Sequence, residues 1–372
     1  MARIAEGHSG EKSGSTLGRV GRYMLVRALT LGISVVIAVY ITILIANMGG
    51  HVDQIKIGMI DEGIAAWVAA DEELLALPRA EREEVIAKTR EIRIAALGLD
   101  IPFPIRSVRY LTDAMSLDLG HSTTLMSDKG SRFVREILLE RLPHTLLLFG
   151  TTSLLMFFVA LFGALFLSRR YGSKLDQAVI ALAPTSAAPA WFYGIFLILI
   201  FAAVLRLLPF GGFVAAPPPP TMWEYALSVL RHMVLPVSAM VIGGIFVSIY
   251  NWRTFFLIHS SEDYVEMAKA KGLSSGAIER QHILRPTLPP IITSFALMLI
   301  GMWMGAIVLE TIFGWPGLGS LLWRAMRLFE TAVVVGAVVI YAYLLVVTLF
   351  LLDIVYAVVD PRVKVGAEGR TS

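Results

Sequence analysis

The chain has no cysteine, which excludes a disulfide framework, a thiolate zinc site and an iron–sulfur cluster together. Charge is scarce as well: 16% of the 372 residues are Asp, Glu, Lys or Arg, against about 25% in soluble domains. Side-chain amides are scarcer still, with two asparagines (Asn47, Asn251) and three glutamines (Gln54, Gln177, Gln281). A phosphate-binding loop is missing too. Such a loop ends in Gly-Lys-Ser/Thr so that backbone amides and the lysine surround the phosphates, whereas Gly10-Glu11-Lys12-Ser13 has no adjacent Gly-Lys pair. The seven histidines form no His-Glu-x-x-His pair, and the serines of the apolar stretches have no histidine at comparable depth. No catalytic residue, metal ligand or cofactor site is therefore assigned to this chain. A net charge of +3 without a basic, aromatic-interleaved stretch also argues against nucleic acid.

What the chain has in abundance is apolar sequence, 56% of its residues, with a mean hydropathy of +0.70. A helix crossing a bilayer needs about 20 mostly apolar residues, because its backbone polar groups must be satisfied internally. Six stretches meet that test: Ala28–Asn47, Thr145–Leu167, Ala178–Leu205, Met233–Tyr250, Pro290–Leu309 and Ala332–Leu352. The first is too long for a signal-peptide core and no A-x-A-like site follows it. It reads as an uncleaved span. Short loops keep Lys and Arg on the cytoplasmic side, so the tail with Arg19, Arg22 and Arg27, the Arg169, Arg170, Lys174 loop and the Arg362, Lys364 tail all fall inside. The expected organisation is a cytoplasmic tail (1–27), a first span (28–47), an external helical segment (48–143), a core with five spans (144–357) and a second cytoplasmic tail (358–372). Within the external segment, Asp71 to Arg93 is rich in helix formers with i,i+4 Glu-to-Arg and Glu-to-Lys spacings, which favour solvated surface helices.

Ion-coupled transporters carry titratable groups inside their spans. Here the proposed span cores contain none, and Arg206, Glu310 and Asp353 lie at ends. Energy for any transport is thus expected from a partner. The alternative is a channel or membrane scaffold not coupled to an ATPase.

Between the fourth and fifth spans lies an internal loop of 40 residues, 251–290. Its first part, Glu262 to Leu273, reads as a short amphipathic helix ended by Gly272 in a left-handed cap. A second helix starts with Ser274 or Ser275 as N-cap and stops before Pro286.

The text Asp263-Tyr264…Ala268-Lys269-Ala270-Lys271-Gly272-Leu273…His282…Leu284-Arg285…Leu288…Pro290 resembles the cytoplasmic loop of permeases in the peptide, nickel and oligosaccharide branch of binding-protein-dependent ABC importers. Further landmarks follow the same order: Leu97-Gly98-Leu99-Asp100…Pro102, Asp118-Leu119-Gly120-His121-Ser122, Arg141-Leu142-Pro143-His144-Thr145, Pro189-Ala190-Trp191-Phe192-Tyr193-Gly194 and Glu310-Thr311-Ile312-Phe313-Gly314-Trp315-Pro316-Gly317-Leu318-Gly319. The departures are Pro286, Glu330-Thr331 and an insertion around Asp61 to Glu84.

The resemblance implies an all-α membrane protein with six transmembrane helices, the MetI-like permease fold of a type I ABC importer, and both termini cytoplasmic. It implies as partners a second homologous permease, two cytoplasmic ATP-binding subunits that hold ATP and Mg, and an external substrate-binding protein. Asp263, Tyr264, Glu266, Ala268, Lys271, Gly272, Leu273, His282 and Arg285 become candidates for coupling to the ATPase. Trp191, Tyr193, Met302, Glu310, Trp315 and Gly317 become candidates for the pathway or its gate. The aromatics among them also read as ordinary packing, and the glycines as a tight turn. The implied place is a prokaryotic plasma membrane, and the implied cargo is peptide first, then oligosaccharide, then nickel.

Overall fold

A computed structural model describes residues 16–47, 51–302 and 306–359. The tail before Thr16 and the tail with Arg362 and Lys364 lie outside the described residues. Among those described the architecture is all-helical, with one isolated bridge, His121 to Phe133, and no strand.

Among the described residues, four helices are long and apolar enough to cross a membrane: α1 (Thr16–Ala46), α6 (Val134–Ser168), α9 (Met222–Ser260) and α15 (Thr331–Val359). Helix α1 shows why they suit lipid. Leu25, Leu29, Ile33, Ile37, Ile41 and Ile45 recur every fourth residue on an exposed face, while Leu31, Val35, Val39 and Ile43 recur on the buried one. An apolar stripe of that length facing outward is costly in water and favourable in hydrocarbon. The buried face packs on α15, in the core that holds Ile340, Ala337 and Val333, and on the helix Phe103–Met115, which brings Ala114 to the same core.

The third expected span is broken rather than continuous. Helix α7 (Lys174–Leu182) runs through a 3₁₀ turn to Ala187, and α8 (Ala190–Leu197) runs through a π turn to Val204, the two pieces meeting at 97°. The break falls at Ala188, which is extended (ψ 133°), because a residue before proline is pushed out of the α region and Pro189 supplies no amide. If this bent pair is one span, five are present. The fifth expected span differs too. Helix α12 (Arg285–Gly301) has 17 residues, and the chain resumes helix only at α13 (Ile307–Ile312). Met302 ends the first piece, and 303–305 lie outside the described residues. Helix α9 exceeds its expected bounds at both ends: 39 residues rise about 58 Å, nearly twice a bilayer core of about 30 Å.

The segment between α1 and α6 forms α2 (His51–Ala70), α3 (Glu72–Ala76), α4 (Arg79–Ala96) and α5 (Phe103–Met115). Asp71 caps α3 by accepting from the Leu74 amide at 3.0 Å, and Pro78 separates α3 from α4. Helix α4 buries none of its residues, as its evenly charged sequence predicts. Arg106 holds the segment together. It is 2% exposed, pairs with Asp53 at 2.5 Å and donates to the Gly98 and Ile101 carbonyls at 2.9 and 3.3 Å.

Two contacts fix the direction of the bundle. Arg27 near the start of α1 pairs with Asp353 near the end of α15 at 2.8 Å, whereas Lys56 beyond the other end of α1 donates to Thr331 at the start of α15 at 3.1 Å. The beginning of α1 and the end of α15 therefore share one end of the bundle. Helices α2–α5 occupy the opposite end.

Candidate functional site

The loop after α9 forms α10 (Asp263–Ala270) and α11 (Ser275–Ile278), and the latter widens into a π turn over 279–284. Gly272 has φ +76°. Its amide donates to the Lys269 carbonyl at 2.9 Å and the Leu273 amide to the Ala268 carbonyl at 3.3 Å, the paired bonds of a Schellman cap. Ser274 stands at the N-cap of α11, though its side chain makes no capping bond. The expected stop before Pro286 does not occur. Pro286 stands just after the π turn over 279–284, and the helical backbone runs through it into α12 without a break; a π turn is one of the local adjustments by which a helix carries an interior proline.

Val265, Ala268 and Ile278 close the two short helices over a small core that Ile283 joins. Ala268 is thus a packing residue that holds the turn. Asp263, Tyr264, Glu266, Lys271, Gly272, Leu273 and Arg285 are exposed, and His282 is half-buried. Sequence reasoning missed Met267, which is 58% exposed beside Tyr264 at 39% and Leu273 at 40%. Tyr264, Met267 and Leu273 are thus apolar groups exposed among the charged Asp263, Glu266 and Lys271.

At the opposite end, Glu310 of α13 and the turn after it form a closed polar knot. Glu310 has no exposed surface. Its carboxylate accepts from Thr145 Oγ1 at 2.9 Å and from the Ser320 amide at 3.0 Å, while Thr145 Oγ1 accepts from the Leu318 amide at 2.7 Å. Gly317 is required by space, since a Cβ there would lie 2.5 Å from both the Glu310 carboxylate and Thr145 Oγ1. Trp315 is fully buried and donates from Nε1 to the His144 carbonyl at 2.9 Å. In this conformation it braces the turn and faces no open path. Helix α14 (Leu318–Arg327) continues from the knot.

The remaining pathway candidates are dispersed. Trp191 is 37% exposed on α8. Tyr193 is half-buried, and its hydroxyl donates to the Thr185 carbonyl across the bend. Met302 is half-buried, its methyl 3.0 Å from where a Cβ on Gly150 would sit. The α8 segment reaches the knot through Gly194, against whose missing Cβ the Phe313 ring would stand at 2.8 Å.

Two further groups escaped sequence reasoning. Glu330 at the head of α15 is 3% exposed and accepts from Thr123 Oγ1 at 2.7 Å and Thr124 Oγ1 at 2.6 Å, and from both their amides. Burial pushes its carboxyl up, but the hydrogen bonds from Thr124 and Thr123 together outweigh burial and hold it below the ordinary value of 4.5. The other is Asp176, paired with Arg253 inside the α10–α11 end of the bundle. A fixed charge on Arg253 could have been sought from the sequence. Its partner, 77 residues away, could not.

A family model described as the binding-protein-dependent transport system inner membrane component matches residues 160–365. The oligopeptide transport system permease protein AppB of Bacillus subtilis is 30% identical over 290 residues, covering 77% of this chain and 86% of the relative. The dipeptide transport system permease protein DppB of the same organism is 30% identical over 289 residues, with the same coverages of 77% and 86%. The di/tripeptide transport system permease protein DppB of Pseudomonas aeruginosa is 29% identical over 285 residues, covering 72% of this chain and 83% of its own.

Proposed function

The chain belongs to the family of binding-protein-dependent transport system inner membrane components, and from that membership we propose that it is one permease subunit of an ATP-driven importer of short peptides, forming half of the translocation path. It is a multi-pass protein of a prokaryotic plasma membrane. The relatives named above are all peptide permeases, which favours peptide over oligosaccharide or nickel as cargo. A second homologous permease completes the path, two ATP-binding subunits supply the energy with their own ATP and Mg, and an external binding protein delivers the peptide. ATP hydrolysis belongs to those partners.

The observation that carries this reading is the Schellman-capped pair α10–α11 with Tyr264, Met267 and Leu273 turned outward. A capped turn of defined shape that presents Tyr264, Met267 and Leu273 beside charged residues is a surface that another protein can cover. The ATP-binding subunit is that partner. With α7–α8 as the third span and α12–α13 as the fifth, the chain crosses six times. Both termini are then cytoplasmic together with the α10–α11 loop and the Arg169, Arg170, Lys174 turn, and 48–143 is external. Protease added to sealed right-side-out vesicles should cut 49–141 and spare the loop at Gly272. Cutting at Gly272 instead would invert the topology and remove the loop from any cytoplasmic ATPase.

A further inference from the structure

The turn between α6 and α7 is fastened to both limbs of the α10–α11 loop. Arg253 lies near the end of α9, and between the last residue of α9 and the first of α10 stand only Ser261 and Glu262. Its guanidinium meets Asp176 in a two-pronged pair, Nε to one carboxylate oxygen and Nη2 to the other at 2.6 Å. The pair is buried, with side-chain exposures of 8% and 1%. Asp176 is itself locked to its own turn. The same carboxylate accepts from the Gly172 amide at 2.9 Å, Ser173 caps α7 through the Asp176 amide at 3.3 Å, and the Tyr171 ring lies 5.1 Å from the Arg253 guanidinium. The second limb is held by Arg169, which pairs with Glu279 at the start of the π turn.

Removing two charges from water is costly, and apolar residues of similar volume often pack as stably. What a planar guanidinium adds is fixed direction, because two parallel bonds define distance and angle together. Here that fixed geometry joins a continuous helix leading to the loop with the first turn of the segment that bends by 97° into α8. Ile283 extends the connection, packing both in the small core of α10–α11 and in the core that contains Phe256, Leu167 and Val179. Resting on the reading of α10–α11 as an ATPase-docking loop, we propose that Asp176 and Arg253 are positioning residues that transmit movement of that loop into the broken α7–α8 segment. Arg169 is 59% exposed, so its pair with Glu279 is screened and contributes far less.

The absence of native cysteine makes the test direct. Spin labels at Leu199→Cys in the α8 segment and Ile41→Cys in α1, both on exposed positions, report how far that segment moves against the bundle. The assembled complex with its ATP-binding subunits is measured without nucleotide and with ATP and vanadate. The parent should show a nucleotide-dependent change in distance. Asp176→Asn should capture the ATP-binding subunits as the parent does yet lose most of that change. The double variant Asp176→Asn, Arg253→Gln leaves no uncompensated charge and so guards against misfolding; it should behave the same way. Arg169→Ala should retain the change. A full change in distance in Asp176→Asn or in the double variant, with capture intact, overturns the transmission role while leaving the docking loop standing. Failure of the parent to capture any ATP-binding subunit overturns the docking reading, and the transmission role with it.

Discussion

Gly272 offers a substitution whose effect is carried by the backbone alone. Its φ is +76°, and a Cβ placed there meets nothing within 4 Å, so a side chain adds strain and no collision. An L-residue in the left-handed region costs about 1–2 kcal/mol, and a β-branched one about 1–3 kcal/mol. Against this stand the two cap bonds at 2.9 and 3.3 Å, each worth about 0.5–1.5 kcal/mol net. The two sides are of similar size. Gly272→Val should therefore open the turn, Gly272→Ala should weaken it, and Gly272→Asn, whose side chain tolerates this region, should stay nearest the parent. A loss of about 1–3 kcal/mol in the docking-competent shape corresponds to an affinity for the ATP-binding subunit lowered about 5- to 150-fold. Titration of purified permease with those subunits measures this, and membrane insertion should be unchanged in every variant. Parent-like affinity for Gly272→Val would show that the cap does not shape the docking surface. Equal losses for Asn, Ala and Val would point to bulk at the interface rather than backbone strain.

Gly317→Ala should act by the opposite mechanism, since its φ of −94° is ordinary but its Cβ would overlap Glu310 and Thr145 at 2.5 Å. A cost of about 1–3 kcal/mol from overpacking should appear as a lowered thermal midpoint of the purified chain, and an unchanged midpoint would mean that the knot yields freely. Glu330 has a folded-state pKa below its unfolded value, so its contribution is complete above the unfolded pKa and is lost as pH falls through the folded one. Protease resistance of 116–133 should decline below pH 4.5 in the parent and be flatter with pH in Glu330→Gln. Arg106→Met strands Asp53 and frees the Gly98 and Ile101 carbonyls; at about 3 kcal/mol it should make 51–115 cleavable under conditions where the parent resists.

Features whose cause is local were legible in the sequence. The lipid-facing helices follow from composition over about 20 residues, and the left-handed turn at Gly272 follows from a glycine closing an amphipathic segment. The α3–α4 pair likewise follows from Asp71, Pro78 and the charge spacing between them. The break in the third expected span was missed for a reason that is also local. Hydropathy averages over Ala178 to Leu205 and is blind to Pro184 and Pro189, whereas the backbone is not. The stop at Pro286 fails because the helix widens into a π turn just before it, one of the local adjustments by which a helix carries a proline.

What stayed hidden was pairing across distance. Asp176 has a complete local explanation as an acidic residue in the first turn of a Ser-capped helix, and Arg253 reads equally well as a basic residue ending a span. Nothing in either neighbourhood asks for the other. Glu310 shows the same difficulty from the apolar side. As a charge at a span end it reads as exposed, yet the three-dimensional turn encloses it, and the space it needs is made by Gly317 and Gly319, whose Cβ atoms would come within 2.5 and 2.9 Å of its carboxylate. A glycine of that kind is absent for volume rather than for backbone freedom. Sequence spacing alone cannot separate the two uses of glycine; the extended Gly317 beside the left-handed Gly272 shows that this chain employs both, one at each end of the bundle.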